Sequence, residues 1–487
     1  MTLRNDAQIA IIGAGASGLP MCKELYENKL DFECYEASDR VGGNWVFKNN
    51  NNMSAAYRSL HINTSRKKME YAAYPMPESL PDFPHHAQIA EYLENYVDYF
   101  GFRENIRFNT KIENARKLEN GRWRLETSEG EVKYYDMLVV ANGHHWDPKF
   151  PENEAKGHFS GTKIHSHQYI DPDEPMNCRG KNIVVVGMGN SAVDIACELS
   201  QKSLGNKVFL SVRRPTHILP KHIFGVPIDS FLRHPASDPK LIEYLLPDSI
   251  VKKLVLPSFN KILDLIIGKP EVYGLKTPAH PLGQTHPTIS SEIHTRLISG
   301  DITPKPNIKK FTDDNVYFAD GSCEKIDQII YATGYKISFP FFEDNFLDFK
   351  DNDLALYQRM LHPDHRNLLF IGLIQPLCSI LPIAEIQAKW MCHYMSGLYH
   401  PPTKGQMLEA SHKLHQNMKD KYVASKRHTI QIDCMAYSRA INKDLKQGFK
   451  RAKNAGFSKP FPKINPDYQT SALTNRCIHE SEGEAAT

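Results

Sequence analysis

Ile9-Ala10-Ile11-Ile12-Gly13-Ala14-Gly15-Ala16-Ser17-Gly18 is the stretch whose reading decides the fold. A short apolar run rich in β-branched residues is the kind buried in a parallel sheet. Leu19–Asn28 then shows helical spacing, and Phe32–Tyr35 reads as a second strand ending in Glu36. Strand, GxGxxG, helix, strand and acid follow in the order of a dinucleotide-binding βαβ unit. Each glycine has a mechanical task. Gly13 allows the tight turn, Gly15 lets backbone approach a pyrophosphate, and Gly18 lets the helix pack close to the strand. The helix N-terminus offers free N–H groups and a positive dipole end to the phosphates, and Glu36 is placed to accept hydrogen bonds from a ribose diol.

A second unit of the same kind lies downstream. Ile183-Val184-Val185-Val186 leads into Gly187-Met188-Gly189-Asn190-Ser191-Ala192, the GxGxxA variant of the fingerprint. Val193–Leu199 reads as its helix and Val208–Val212 as its next strand. This unit ends in Arg213-Arg214 where the first ends in Glu36. An acid favours a free 2′-hydroxyl, whereas an arginine accommodates a 2′-phosphate. The first site therefore reads as FAD and the second as NADPH, with Arg214 the leading phosphate contact and Arg213 or Lys221 next. The chain reads as a flavoprotein oxidoreductase.

Two more strands end in small-residue turns, Met137–Gly143 before the second unit and Gln328–Tyr335 after it, the latter with Thr333 and Gly334. These suit chain crossings, where backbone passes close to backbone or cofactor. The expected fold class is α/β, with two Rossmann-like domains and the NADPH domain inserted into a discontinuous FAD domain. The expected boundaries are 1–158 and 328–450 for the FAD domain and 159–327 for the NADPH domain. Within the latter, a proline-interrupted insertion over about 215–303 carries helical runs such as Ser249–Leu256 and is placed to cover the active site. Residues 451–487 are expected to be a tail. The basic stretch Lys443, Lys446, Lys450, Arg451 and Lys453 reads as a solvated helix face.

Composition adds bounds. A length of 487 residues suits two or three domains. Lys+Arg 59 against Asp+Glu 56 gives +3, which offers no global reason to expect nucleic acid as a partner. The nine cysteines are scattered, odd in number and without a CxxC pair, so a reduced, intracellular setting is the simplest reading. It also removes the disulfide-reductase alternative, which needs a redox cysteine pair beside the flavin. No run of apolar residues is long enough to span a membrane, and Asp6 with the glycine spacing argues against a signal peptide. The expected address is the cytoplasm. The histidine pairs His85-His86 and His144-His145 lack metal-ligand spacing, and no metal is expected.

The linker between the units narrows the chemistry. Phe159-Ser160-Gly161-Thr162-Lys163-Ile164-His165-Ser166-His167-Gln168-Tyr169 has the form FxGxxxHxxxY. This resembles the signature of the flavin-containing monooxygenases, in the wider class that includes the Baeyer–Villiger monooxygenases. Tyr331–Tyr335 resembles the family's second signature, and Asp39–Trp45, with Gly43 and Trp45, its GGxW segment. The segment around His61, Asn63 and Thr64 resembles its active-site asparagine region, with Pro81–Pro84 as the continuation. Gly372–Pro376, with Gln375, and Glu385–Trp390 resemble its flavin-side C-terminal region. The resemblance spans roughly residues 8–395.

The resemblance implies that NADPH reduces the FAD, O₂ adds at the flavin C4a carbon, and the hydroperoxide passes one oxygen to a soft nucleophile. N- or S-oxygenation of small amines or sulfides is the leading expectation; Baeyer–Villiger oxidation of a ketone is the alternative. The signature ends in Tyr169 followed by Ile170-Asp171, where the Baeyer–Villiger form has Trp, which tilts towards heteroatom oxidation. By the same resemblance Asn63 is the catalytic residue. Gly43, Trp45, His61, Thr64, Gln375, Thr333 and Gly334 are cofactor contacts, and His165 organises the linker near NADP⁺ instead of acting as an acid or base. A homodimer is expected by analogy.

Overall fold

The structure, a computed structural model, describes residues 9–152, 154–231, 256–347, 354–421 and 430–456. The first unit begins with β1 (Ile9–Ile12), α1 (Gly18–Glu27) and β2 (Phe32–Tyr35), followed by α2 (His86–Phe100), β3 (Ile106–Arg107) and β4 (Met137–Val140). The second unit comprises β5 (Thr162–His165), β6 (Asn182–Val186), α3 (Asn190–Leu199), β7 (Lys207–Ser211), α4 (Ile293–Ile298), β8 (Ile302–Lys305) and β9 (Gln328–Tyr331). The chain returns to the first unit with β10 (Leu368–Phe370), α5 (Ile380–Met395) and α6 (Cys434–Asn454).

Each unit is a five-stranded sheet, in the orders β10-β4-β1-β2-β3 and β8-β7-β6-β9-β5. All pairs in both are parallel. The central strands have no exposed face: Ile9, Ala10 and Ile11 are fully enclosed, as are Ile183, Val184 and Val185. This is why both read as unbroken apolar runs instead of alternating ones. The second domain is inserted into the first, in agreement with the expected nesting.

Three expected boundaries need correction. Gln328–Tyr331 pairs with Ile183–Val186, so β9 belongs to the second sheet and the return to the first unit comes after it. Its apolar run is of the same type as Met137–Val140, and such a run carries no mark of which sheet will bury it. The expected insertion end at 303 falls inside β8, which pairs with β7 as part of the sheet. The expected tail start at 451 falls inside α6, which continues to Asn454. The helical run over 249–256 lies outside the described residues, apart from Leu256, the first residue of a helix that continues to Ile267.

Two expectations about side chains also change. Lys443, Lys446, Lys450 and Lys453 are exposed, but Arg451 turns inwards, donating to His400 O at 2.7 Å and to buried Asp444 at 3.4 Å. Asp444 also accepts from Tyr357, Trp390 and Tyr399 at 2.6–2.9 Å, so this buried carboxylate is fully partnered. Cys378 and Cys434 form a disulfide, against the expectation of reduced cysteines throughout; it ties the turn before α5 to the first residue of α6.

The linker motif has a packing explanation. The Phe159 ring folds over Gly161, where a Cβ would stand 2.5 Å from the ring and 2.3 Å from Asp327 O. Tyr169 is fully buried and donates to Glu198 on α3 at 2.8 Å. His165, the last residue of β5, is also fully buried, and its Nδ1 accepts from the His167 N–H at 3.1 Å. Burial and His167 push its pKa down to about 4, against a smaller opposing effect of the Gly334 backbone. The folded state therefore binds fewer protons than the unfolded one between about pH 6.5 and 4, and stability falls as pH falls through that window. His86 and His362, each also lowered to about 4 by burial, share the effect. His165→Gln is expected to reduce the drop in Tm between neutral pH and pH 4.5; melting curves that shift in parallel with wild type would remove His165 from this account.

Candidate active site

Both phosphate loops sit at the C-terminal ends of the central strands, where open parallel sheets bind ligands. Gly13 has φ +106°, and a Cβ there would lie 2.6 Å from Ala141 O, in the turn that follows β4. Gly187 has φ +141°, and its Cβ would lie 2.6 Å from Ala332 O, in the turn that follows β9. A Cβ on Gly18 would be 2.0 Å from Gly13 O, whereas one on Gly189 would meet nothing within 4 Å. Gly189 thus opens onto unfilled space at the start of α3, as a phosphate cradle requires.

Glu36 is buried, and its two oxygens accept from the Ala14 and Ser38 N–H groups at 2.8 and 2.9 Å. Burial raises its pKa and these backbone donors oppose the shift. It therefore shapes the glycine loop as well as ending β2. Gly43 and Trp45 bound a single 3₁₀ turn, with Gly43 packed on Gly15: a Cβ on Gly43 would lie 3.1 Å from Gly15 Cα. Gln375 accompanies a short parallel pairing with Gln431, its N–H donating to Ile430 O at 2.7 Å. A small recess lined by Val140, Gly143, His144, Phe370 and Gly372 lies at the ends of β4 and β10.

The segment carrying Asn63 leaves the first unit to touch the second. Tyr57 donates to Asp194 on α3 at 2.5 Å, and Arg58 to Asp171 at 2.7 Å. Desolvation pushes the half-buried Asp194 carboxyl up to about 6, against the Tyr57 hydrogen bond and Lys221. Asn63 and Thr64 are half-buried, and Asn63 Oδ1 is enclosed with no hydrogen-bond partner. A buried amide oxygen left unpaired is costly unless a ligand supplies a donor. His61, by contrast, is exposed and packs on His85 with ring centroids 5.0 Å apart, so it is not enclosed with Asn63.

In the second unit, Asn190 and Ser191 open α3, and Asn190 Oδ1 accepts from the Ile289 N–H at 2.9 Å. Arg213 and Arg214 are exposed just past β7 and form no ion pair among the described residues. Lys221, the other alternative, donates to Ile62 O at 3.2 Å. Thr333 and Gly334 hold the crossing: Thr333 Oγ1 donates to Lys149 O, and the Lys149 N–H to Gly334 O at 2.9 Å.

Sequence reasoning missed several residues. His144 has both ring nitrogens buried without partners, and burial holds its pKa well below the usual range. The adjacent small-residue turn was the available signal. Tyr57, Asp194 and Asp229 gave none, because their contacts join segments far apart in the chain, and Lys221 was read from the sequence only as a phosphate contact.

Glycine cradles at the ends of both parallel sheets suit two dinucleotides. The family model described as flavin-binding monooxygenase-like matches residues 6–448. Flavin-containing monooxygenase 5 of Rattus norvegicus is 37% identical over 441 residues, covering 88% of this chain and 80% of that protein. The N-oxide-forming dimethylaniline monooxygenase 2 of Macaca mulatta is 33% identical over 445 residues, covering 88% and 81%. The solved S-allyl-L-cysteine S-oxygenase of Allium sativum has the same fold, with a TM-score of 0.65 at 21% identity over 97% of this chain and 98% of that one. The chain belongs to the flavin-binding monooxygenase-like family and is an FAD-containing, NADPH-dependent monooxygenase.

Proposed function

We propose that this enzyme transfers one oxygen atom from O₂ to the nitrogen or sulfur of a small amine or sulfide, with Asn63 as the catalytic residue. The observation that carries the assignment of Asn63 is its buried, unpaired Oδ1. When bound, reduced flavin supplies the O₂ chemistry, and the protein supplies binding, orientation and exclusion of water. Gly13, Gly15 and Gly18 with the α1 N-terminus would hold the FAD pyrophosphate, and Gly187 and Gly189 with the α3 N-terminus that of NADPH. Arg213 and Arg214 would bind the 2′-phosphate. The Asn63 amide can accept a hydrogen bond from a cofactor N–H without itself becoming a proton source.

A cytoplasmic address is supported by five thiols kept inside the core, Cys22, Cys34, Cys178, Cys197 and Cys392; Cys323 is an exposed thiol, and Cys378–Cys434 is a disulfide. No helix among the described residues is long and apolar enough to cross a membrane. A homodimer rests on family analogy.

Incubation of the FAD-loaded enzyme with NADPH, O₂ and either a tertiary amine, a thioether or a ketone tests the reaction. N-oxide or sulfoxide formation is expected; lactone or ester from the ketone alone would replace this reading with Baeyer–Villiger oxidation, and peroxide as the sole product would remove both. Asn63→Ala is expected to keep FAD while oxygenated product falls at least tenfold, and unchanged turnover would strike Asn63 from the catalytic role. Arg214→Ala should lower kcat/KM for NADPH by roughly 10–100-fold, from a lost charge-assisted contact of about 1.5–3 kcal/mol. NADH should be little affected; an equal loss for both cofactors would place 2′-phosphate recognition elsewhere.

A further inference from the structure

The start of the insertion reaches the first unit at three points. Lys221 Nζ donates to Ile62 O at 3.2 Å and lies 5.1 Å over the Phe83 ring. Asp229 Oδ2 accepts from the Ser65 N–H at 2.7 Å, and His222 Nε2 meets Asp82 Oδ2 at 3.1 Å. The first two contacts bracket Asn63-Thr64. A cation holds the carbonyl just before the pair, and a carboxylate holds the amide just after it. Each charge therefore meets the complementary end of a peptide group.

Both bracketing side chains are half-buried, and each gives up water to be there. Burial lowers the Lys221 pKa, with Asp194 partly restoring it. Asp229 Oδ1 is enclosed with no partner. Holding a partly desolvated cation and anion on main-chain atoms is costly, and a segment that only covered a pocket would not need it. The same turn is tied from its other end by Tyr57 to Asp194 and Arg58 to Asp171. Asn63 is thus held on one side by the sheet-bearing core of the second unit and on the other by the insertion.

The geometry points to Lys221 and Asp229 as positioning residues that fix the Asn63 turn, so that their contacts complete the catalytic site. This rests on the role proposed for Asn63. Its consequence is that competence at Asn63 depends on the Lys221 and Asp229 contacts. An enzyme lacking these contacts would still oxidise NADPH but would release the reducing equivalents as hydrogen peroxide.

The test compares Asp229→Ala, Asp229→Asn and Lys221→Met in the FAD-loaded full chain. The readouts are amide hydrogen exchange over residues 57–69 and the fraction of consumed NADPH recovered as peroxide. Asp229→Ala is expected to speed exchange in this segment roughly tenfold and to raise the peroxide fraction, with FAD content kept. Asp229→Asn retains an oxygen acceptor for the Ser65 N–H and is expected to restore both. Lys221→Met, acting from the other side, should move both in the direction of Asp229→Ala, and it decides the matter if that variant loses FAD. Wild-type exchange in Asp229→Ala and Lys221→Met, or no rescue by Asp229→Asn, would overturn the proposal. Exchange is read without turnover, so a wild-type enzyme that oxygenates neither amine nor sulfide would count against the proposed reaction and leave the bracket still testable.

Discussion

Backbone pressed on backbone at two glycines is the constraint on which this structure depends. Gly13 lies against Ala141 O and Gly187 against Ala332 O, at distances that leave no room for a Cβ. Each contact closes a phosphate loop onto the turn after a neighbouring strand, and each of those turns leads towards a crossing between the units. The same atoms therefore shape a cofactor cradle and set where the chain changes domain. The positive φ at both glycines reinforces the requirement, since an L side chain would be strained there whatever the space.

Polar contacts then set the second unit against the first. Tyr57–Asp194, Arg58–Asp171 and the insertion's contacts at Ile62 and Ser65 all converge on one short segment. Asp194 is half-buried at this contact, and desolvation raises its carboxyl to about 6. Low local dielectric strengthens each hydrogen bond and makes each missing partner more costly. Asn63, with its unpaired oxygen, sits in the middle of this arrangement.

What can be read from the sequence follows from range. Gly13, Gly15, Gly18 and Glu36 belong to one local unit, and their order alone implies the loop, the helix start and the strand end. Gly161 stands out by its spacing, although the reason, a ring folded over it from Phe159, needs the structure. The sequence places β9 on the wrong side of a crossing because an apolar strand looks the same from either sheet. Asp229 and Ser65 are 164 residues apart, and Cys378 and Cys434 are separated by 56. No periodicity or motif joins such pairs, so they stay invisible until the chain is folded. His61 stands two residues from Asn63 in sequence yet is exposed, which its position in the chain does not reveal.

The two passages between the units are hydrogen-bonded neighbours. Asp147-Pro148 on the way out pairs antiparallel with Tyr335-Lys336 on the way back, and Lys149 and Gly334 continue the contact. A domain whose entry and exit lie side by side occupies its host as an enlarged loop with its ends already together. The host therefore has little loop-closure entropy to overcome on account of the long stretch between them. A gene could acquire, lose or exchange the inner nucleotide-binding unit at this ribbon with the outer sheet still able to form, which gives nested flavoproteins of this design a physical route to recombination.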